Sequence, residues 1–313
     1  YSFGILASLA IYALVRKKHS EAAAIAGALL FFTAPVVVER LPQTMVDISV
    51  AYFFLAAVLV LFKYAHEGDN SRRISLTVLC GILVGLATSV KLIGVFVAFA
   101  FVIGMVLSRL LYKKEVNIKQ ACTEIFLLAA VVLLLTTPWL ARSYIYTGNP
   151  VYPLAHSVFG GKYLSPSLDL AYETHHENVG LDRNIANALL VLWNITFNST
   201  AFNTIIGLTP FFVMLLPLII LFYKGVRDLR KWLILFVMGT AIIAAIFWAH
   251  PVLRYMFSGI ALLSAATAMV IDAMLRHRIL KAAIFLMLIV SLAFNATIWY
   301  GINARNVAYF ISG

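Results

Sequence analysis

Long apolar runs alternate with short polar connections along this chain. The runs fall near residues 2–15, 22–38, 48–62, 74–90, 92–111, 122–141, 204–223, 232–249, 253–275 and 281–299. Most approach the roughly 20 residues that a helix needs to cross about 30 Å of hydrocarbon. A bilayer offers backbone amides no water, so each run is expected to satisfy its own hydrogen bonds as a helix. Ten spans result. The rhythm is broken between Arg142 and Asn203, a stretch far longer than an ordinary connection. It holds Tyr144, Tyr146, Tyr152, Phe159, Tyr163, Tyr172 and Trp193, too many aromatics for a disordered tether. Within it, "NIANALLVLWNITF" places Ile185, Leu189, Leu192 and Thr196 near one helical face. That spacing predicts a helix lying at the membrane interface, with Trp193 as its anchor.

Composition strengthens this picture. Of 313 residues, 63% are hydrophobic and only 12% charged, and the mean hydropathy is +0.95, outside the balance of a soluble globular domain. The expected fold is an all-α integral membrane protein of about ten transmembrane helices with one large extracytoplasmic loop. Residues 1–141 form a first membrane part, 142–203 the loop with its interfacial helix, and 204–313 the C-terminal membrane helices.

Charge sets the expected orientation, because Lys and Arg crowd the cytoplasmic ends of spans. With Tyr1 outside, the inner connections carry the basic groups of Arg16–Lys18, Lys63–Arg73, Arg109–Lys119, Lys224–Lys231 and Arg276–Lys281. Only Arg40, Lys91, Arg142, Lys162, Arg183, Arg254 and Arg305, seven of 24 Lys plus Arg, remain outside. Topology therefore explains most of the net charge of +11, and nucleic acid is not an expected partner. The chain opens without Met inside an apolar run, so at least one upstream span is expected. Cys80 lies inside a span and Cys122 near the cytoplasmic side, which argues against a disulfide between them.

The basic residues left outside are the ones topology does not explain. Lys91 interrupts "GLATSVKLIGVF" at a tight hairpin, Arg142 follows "TTPWLA", and Arg254 lies in "AHPVLRYMF". Three cations at outer helix ends can converge on one anion, such as the phosphate of a lipid at headgroup depth; alternatively each snorkels to a headgroup by itself. Glu39 and Asp47 share this layer. Asp47 either caps the helix that follows or serves as general base, acceptor-positioning group or ligand of a divalent metal, magnesium or manganese; Glu39 either does the same or pairs with Arg40. "ETHHEN", residues 173–178, lacks metal-ligand spacing and reads as solvated loop. Pro210 and Pro217 are expected to kink a helix.

Four stretches, "LPQTMVDISVAYFFLAAVLVL", "GILVGLATSVKLIGV", "PWLARSYIYTGNPVYPLAHSVFGG" and "HPVLRYMFSGIALL", run in order from about residue 35 to 265. In them the chain resembles the polytopic GT-C glycosyltransferases, in particular the group of dolichyl-phosphate-mannose protein mannosyltransferases and aminoarabinose transferases. The resemblance implies a sugar donor linked to a polyprenyl phosphate and transfer on the extracytoplasmic face, in the plasma membrane, to a lipid, glycan or protein acceptor. It implies that Asp47 matches the acidic position of the second outer loop, with Glu39 as a further catalytic candidate. Lys91, Arg142 and Arg254 then hold the donor phosphate, and Tyr255 and Tyr146 join them in substrate binding. The family's main catalytic acid is expected upstream of Tyr1.

Rival readings are a glycan polymerase or ligase of another fold, a polyprenyl-lipid flippase or other transporter, and a noncatalytic scaffold. A transporter is expected to carry ionisable groups near the middle of several spans, and the centres of these runs are almost free of them.

Overall fold

The computed structural model of the protein describes residues 1–43, 45–112, 117–163, 165, 167, 174, 179–204, 207–209, 213 and 221–312. Among the described residues all regular structure is helical. We number the α-helices α1 (Ser2–Arg16), α2 (Glu21–Phe32), α3 (Pro35–Arg40), α4 (Asp47–His66), α5 (Asn70–Val90), α6 (Gly94–Tyr112), α7 (Ile118–Thr147), α8 (His156–Phe159), α9 (Ile185–Leu189), α10 (Val191–Phe197), α11 (Leu229–Ala249), α12 (Phe257–Met274) and α13 (Arg278–Ser312). A 3₁₀ turn, Leu253–Met256, leads into α12.

Six helical segments are long and apolar enough to cross a bilayer: α4, α5, α6, α7, α11 and Leu253–Met274. The protein is thus a multi-pass α-helical membrane protein. The first two expected spans form shorter helices, α1 and α2, and the second breaks at Thr33–Ala34, where Pro35 starts α3 at a position that needs no backbone donor. The expected span at 204–223, with Pro210 and Pro217, lies largely outside the described residues.

Local signals set the helix ends. Asp69 caps α5 by accepting from Ser71 N (3.2 Å), Asn117 caps α7 through Gln120 N (3.1 Å), and Asp228 caps α11 through Lys231 N (3.3 Å). Gly148, at φ 78°, ends α7 in the left-handed region. Asp47 does not cap α4: Val46 holds that place and Asp47 is the first helical residue.

The core is built around α12, every residue of which is buried. It packs against α1, α2, α4 and α11. Without a hydrophobic driving force between helices in lipid, close approach comes from small residues. A Cβ on Gly259 would lie 2.8 Å from the Gly239 backbone oxygen, and one on Gly27 would lie 2.6 Å from Ala268 Cβ. The backbones of α12, α11 and α2 are therefore as near as side-chain-free contacts permit.

A second group, α4 to α7, is tied at the other end from Asp47. Tyr64 (α4) and the guanidinium of Arg109 (α6) both donate to the Glu124 carboxylate (α7), and Arg73 (α5) reaches it at 3.3 Å. All four side chains are buried. One carboxylate thus serves two guanidiniums, and four helices share a single ionic clasp.

Candidate functional site

The opposite end of the bundle gathers three chain segments: the start of α4, the turn from α5 into α6, and Leu253–Met256. The α5–α6 turn is tight because a Cβ on Gly94 would meet Thr88 Cα at 2.6 Å and the Ala87 carbonyl oxygen at 2.8 Å. Only glycine lets the chain reverse so near its own backbone, and the reversal leaves Lys91 at the rim, as "GLATSVKLIGVF" predicts.

Lys91 Nζ donates to Asp47 Oδ1 at 2.6 Å. Asp47 is buried, while the Lys91 side chain keeps 29% of its surface. The ammonium also lies 4.2 Å from the centre of the Tyr255 ring, and the Arg254 guanidinium lies 5.3 Å from the same ring. Tyr255 is therefore a shared π-face between two cations, a favourable arrangement for each. Arg254 Nη1 reaches Met45 Sδ at 3.1 Å, and Arg40 Nη1 reaches the same sulfur at 3.8 Å and Gln43 Oε1 at 2.9 Å. Glu39 stands beside Arg40 at 3.4 Å and accepts from Thr204 Oγ1 at 3.3 Å. The His250 ring is 5.5 Å from Tyr255.

These residues give Lys91, Arg254 and Arg40 against Asp47 and Glu39, one cation in excess. The Nε atoms of Arg40 and Arg254 are buried and have no hydrogen-bond partner among the described residues. Both guanidiniums also face Met45, whose thioether is a weak acceptor. Unused donors beside a weak acceptor are suited to an incoming anion, which would replace poor contacts with charge-assisted ones.

The rim thus brings together Asp47, Lys91, Arg254 and Tyr255, with Glu39 one residue away from the shared sulfur contact through Arg40. For Arg142 and Tyr146 the contacts seen among the described residues lie within their own helix. α7 continues to Thr147, so Arg142 lies within a helix, its guanidinium 5.9 Å from each of the Trp139 and Tyr146 rings of its own helix. Arg40 is the residue that sequence reasoning passed over as a partner for Glu39; its survival on the outer side against the charge rule was the available signal. "ETHHEN" lies outside the described residues except Thr174, and among the described residues no three His, Cys, Asp or Glu side chains gather to hold a metal ion. Asp47 and Glu39, each already beside a cation, do not form a metal-binding set by themselves.

Within the long segment, the stretch expected as one helix, "NIANALLVLWNITF", forms two short helices, α9 and α10, meeting at Leu190. Val191 and Ile195 are buried, whereas Ile185, Leu189, Trp193 and Phe197, spaced four apart, are exposed.

Fold and rim together define a polytopic α-helical membrane protein with a cationic site at one end of its bundle. The chain belongs to the family described as Domain of unknown function (DUF8201), whose model matches residues 2–261. No curated protein matches the sequence. Among solved structures it is similar to the crystal structure of the Archaeoglobus fulgidus oligosaccharyltransferase in the apo form, with a TM-score of 0.50 and 17% identity. That similarity covers 95% of this chain and 42% of the archaeal enzyme, so the chain spans less than half of that enzyme's length. The likeness shows the fold alone, an all-helical membrane bundle, and that coarse part of the architecture expected from the sequence is the one observed.

Proposed function

We propose that this chain is the membrane part of a glycosyltransferase that moves a sugar from a polyprenyl-phosphate donor to a lipid, glycan or protein acceptor on the extracytoplasmic face. One observation carries the reading: Lys91, Arg254 and Arg40 meet at a single rim with two unused buried Nε donors. Cleavage of a sugar phosphate leaves charge on the departing phosphate, and cations fixed in place lower the barrier by neutralising it.

In this reading Arg254 and Arg40 take the phosphate oxygens in place of Met45 Sδ. Lys91 stands between two roles. Held by Asp47 it is oriented over Tyr255; released onto the phosphate it frees the Asp47 carboxylate to accept a hydrogen bond from an acceptor hydroxyl. Tyr255 keeps both cations aligned, and Glu39 fixes Arg40. Arg142 and Tyr146, near the C-terminal end of α7, are suited to another part of the donor or acceptor. The resemblance to GT-C enzymes and the shared fold support this assignment of class.

The test is transfer of a radiolabelled sugar from polyprenyl-phosphate donors in membranes carrying the full-length protein, beside Asp47→Asn and Arg254→Ala at matched expression. A fall of roughly a hundredfold, about 2.7 kcal/mol of transition-state stabilisation, is expected in either variant. Unchanged transfer in both removes the rim as the site, and no transfer from any donor by folded wild-type protein removes the enzyme reading.

A further inference from the structure

At the end of the bundle away from Asp47, three connections that are distant in sequence are knotted together. They are Arg16–Ser20, Tyr223–Lys231 and Leu275–Lys281. Lys18 Nζ meets Asp228 Oδ2 at 2.8 Å, and Arg227 Nη1 donates to the Lys18 carbonyl at 3.3 Å. His19 Nδ1 and the Ser20 amide each contact the Asp272 carboxylate at 3.0 Å, and Arg227 Nε approaches it at 3.5 Å. Arg276 Nη2 donates to the Gly225 carbonyl at 3.4 Å, closing the triangle.

The carboxylates of this knot point inward. Asp228 is 8% exposed and Asp272 3%, and each is already engaged by the contacts above. The cations point outward: Arg16, Lys17, Lys224, Arg230, Arg278 and Lys281 are all exposed. None of Arg16, Lys17, Lys224, Arg278 and Lys281 has an acidic partner among the described residues. The inner acids are spent on joining the loops, which leaves six exposed cations against one neighbouring exposed carboxylate, Glu21.

We infer that this knot is a binding surface for the headgroup phosphates of anionic lipids. Its place at the end of the apolar helices argues for lipid rather than a soluble anion. α12 runs from the rim at Phe257 to Asp272 in the knot, about 22 Å of helical rise, so the exposed cations stand where the apolar part of the bundle ends. Leu221 and Ile279, 72% and 85% exposed, flank the cations and suit insertion among acyl chains. Basic clusters at helix ends draw anionic headgroups with about 1 kcal/mol per Lys or Arg. A surface that merely obeyed the charge asymmetry of membrane proteins would hold no particular lipid; here one folded surface is drawn from three separate loops.

The experiment is native mass spectrometry of the full chain in detergent, titrated with phosphatidylglycerol and with phosphatidylcholine. Wild type is expected to retain phosphatidylglycerol at least about tenfold more tightly than phosphatidylcholine, and to lose that preference at high salt. Arg16→Gln with Lys17→Gln, and separately Arg278→Gln with Lys281→Gln, remove exposed charges that hold no loop in place, and each pair is expected to weaken retention. Lys63→Gln with Arg72→Gln, exposed cations on the same membrane side but outside the knot, is expected to leave it unchanged. Equal retention of the two lipids by wild type, or undiminished retention in both knot pairs with unchanged thermal melting, overturns the inference. Displacement of phosphatidylglycerol by inorganic pyrophosphate at equal concentration also overturns it, since the ligand is then a soluble anion.

Discussion

Lys91 is the side chain on which the rim depends, because it neutralises a carboxylate that the fold has buried. Removing one member of such a pair strands the other. Lys91→Met is therefore expected to destabilise the protein by about 1–3 kcal/mol, less than for a fully buried pair because the lysine is partly exposed. Adding Asp47→Asn should recover part of the loss. Thermal melting in detergent checks both, and a double variant no better than Lys91→Met denies that the 2.6 Å contact matters to stability. A further prediction concerns pH. Burial, opposed by Asp272, lowers the His19 pKa below its ordinary 6.5, so the folded state favours neutral imidazole. Its contribution is full above about pH 6.5 and is lost as the pH falls below that value towards the folded pKa. For Asp228, burial acts upward but is outweighed by the Lys18 side chain and the Lys231 amide, and the carboxyl ends below its ordinary 3.8. Its contribution is present above that value and lost in stronger acid. Melting temperature should thus decline on acidification in two stages, and His19→Gln should remove the first.

The elements meet in two different ways, and the distinction makes separate predictions. α11 and α12 approach through glycines. At Gly259 a Cβ would lie 2.7 Å from Ile243 Cγ1 as well as 2.8 Å from the Gly239 oxygen. The backbone oxygen cannot move aside like a flexible side chain, so Gly259→Ala is expected to cost about 1–3 kcal/mol and Gly259→Leu to prevent correct assembly. Loss of the monodisperse peak in size-exclusion chromatography reads the outcome. α4 to α7 meet instead through charge. Glu124→Gln removes the carboxylate that serves both Arg73 and Arg109 among the described residues and is expected to cost about 3–5 kcal/mol; Gln in place of Glu keeps the shape, so the loss reports charge rather than packing. Glycine contacts of this kind were not legible in advance, since a glycine in an apolar run looks the same whether it faces lipid or another backbone. Arg73 and Arg109 were legible only as inner-side cations and Tyr64 and Glu124 were not singled out, because nothing local pairs residues 51 and 60 positions apart.

For the whole molecule, orientation is the property with the most direct check, and the native thiols supply it. Cys122, near the start of α7, is exposed, and Cys80 is buried. With the basic connections inside, a membrane-impermeant maleimide is expected to leave Cys122 unmodified in intact cells and to label it after permeabilisation, with Cys80 silent throughout. Labelling in intact cells inverts the molecule and moves the rim to the other face. The hydropathy pattern located most of the membrane helices, because the free energy of moving a residue into lipid is a property of that residue and its near neighbours. For the same reason Glu39, Arg40, Asp47, Lys91 and Arg254 could be placed in one layer from the charge asymmetry alone. Which of them touch is a different kind of fact. Asp47 and Lys91 are 44 positions apart, and Met45 and Arg254 are 209 apart; their meeting depends on how α4, the α5–α6 turn and the start of α12 pack. Arg142 shows the same limit from the other side, since α7 continues past the expected end of its span and carries the arginine onto its own aromatics. The sequence by itself determined a membrane protein, the depth of its charges and a short roster of rim residues. The tertiary structure decided which members of that roster share a site and that the buried α12 is the axis of the fold, because packing between distant segments selects one arrangement among many that local hydropathy permits.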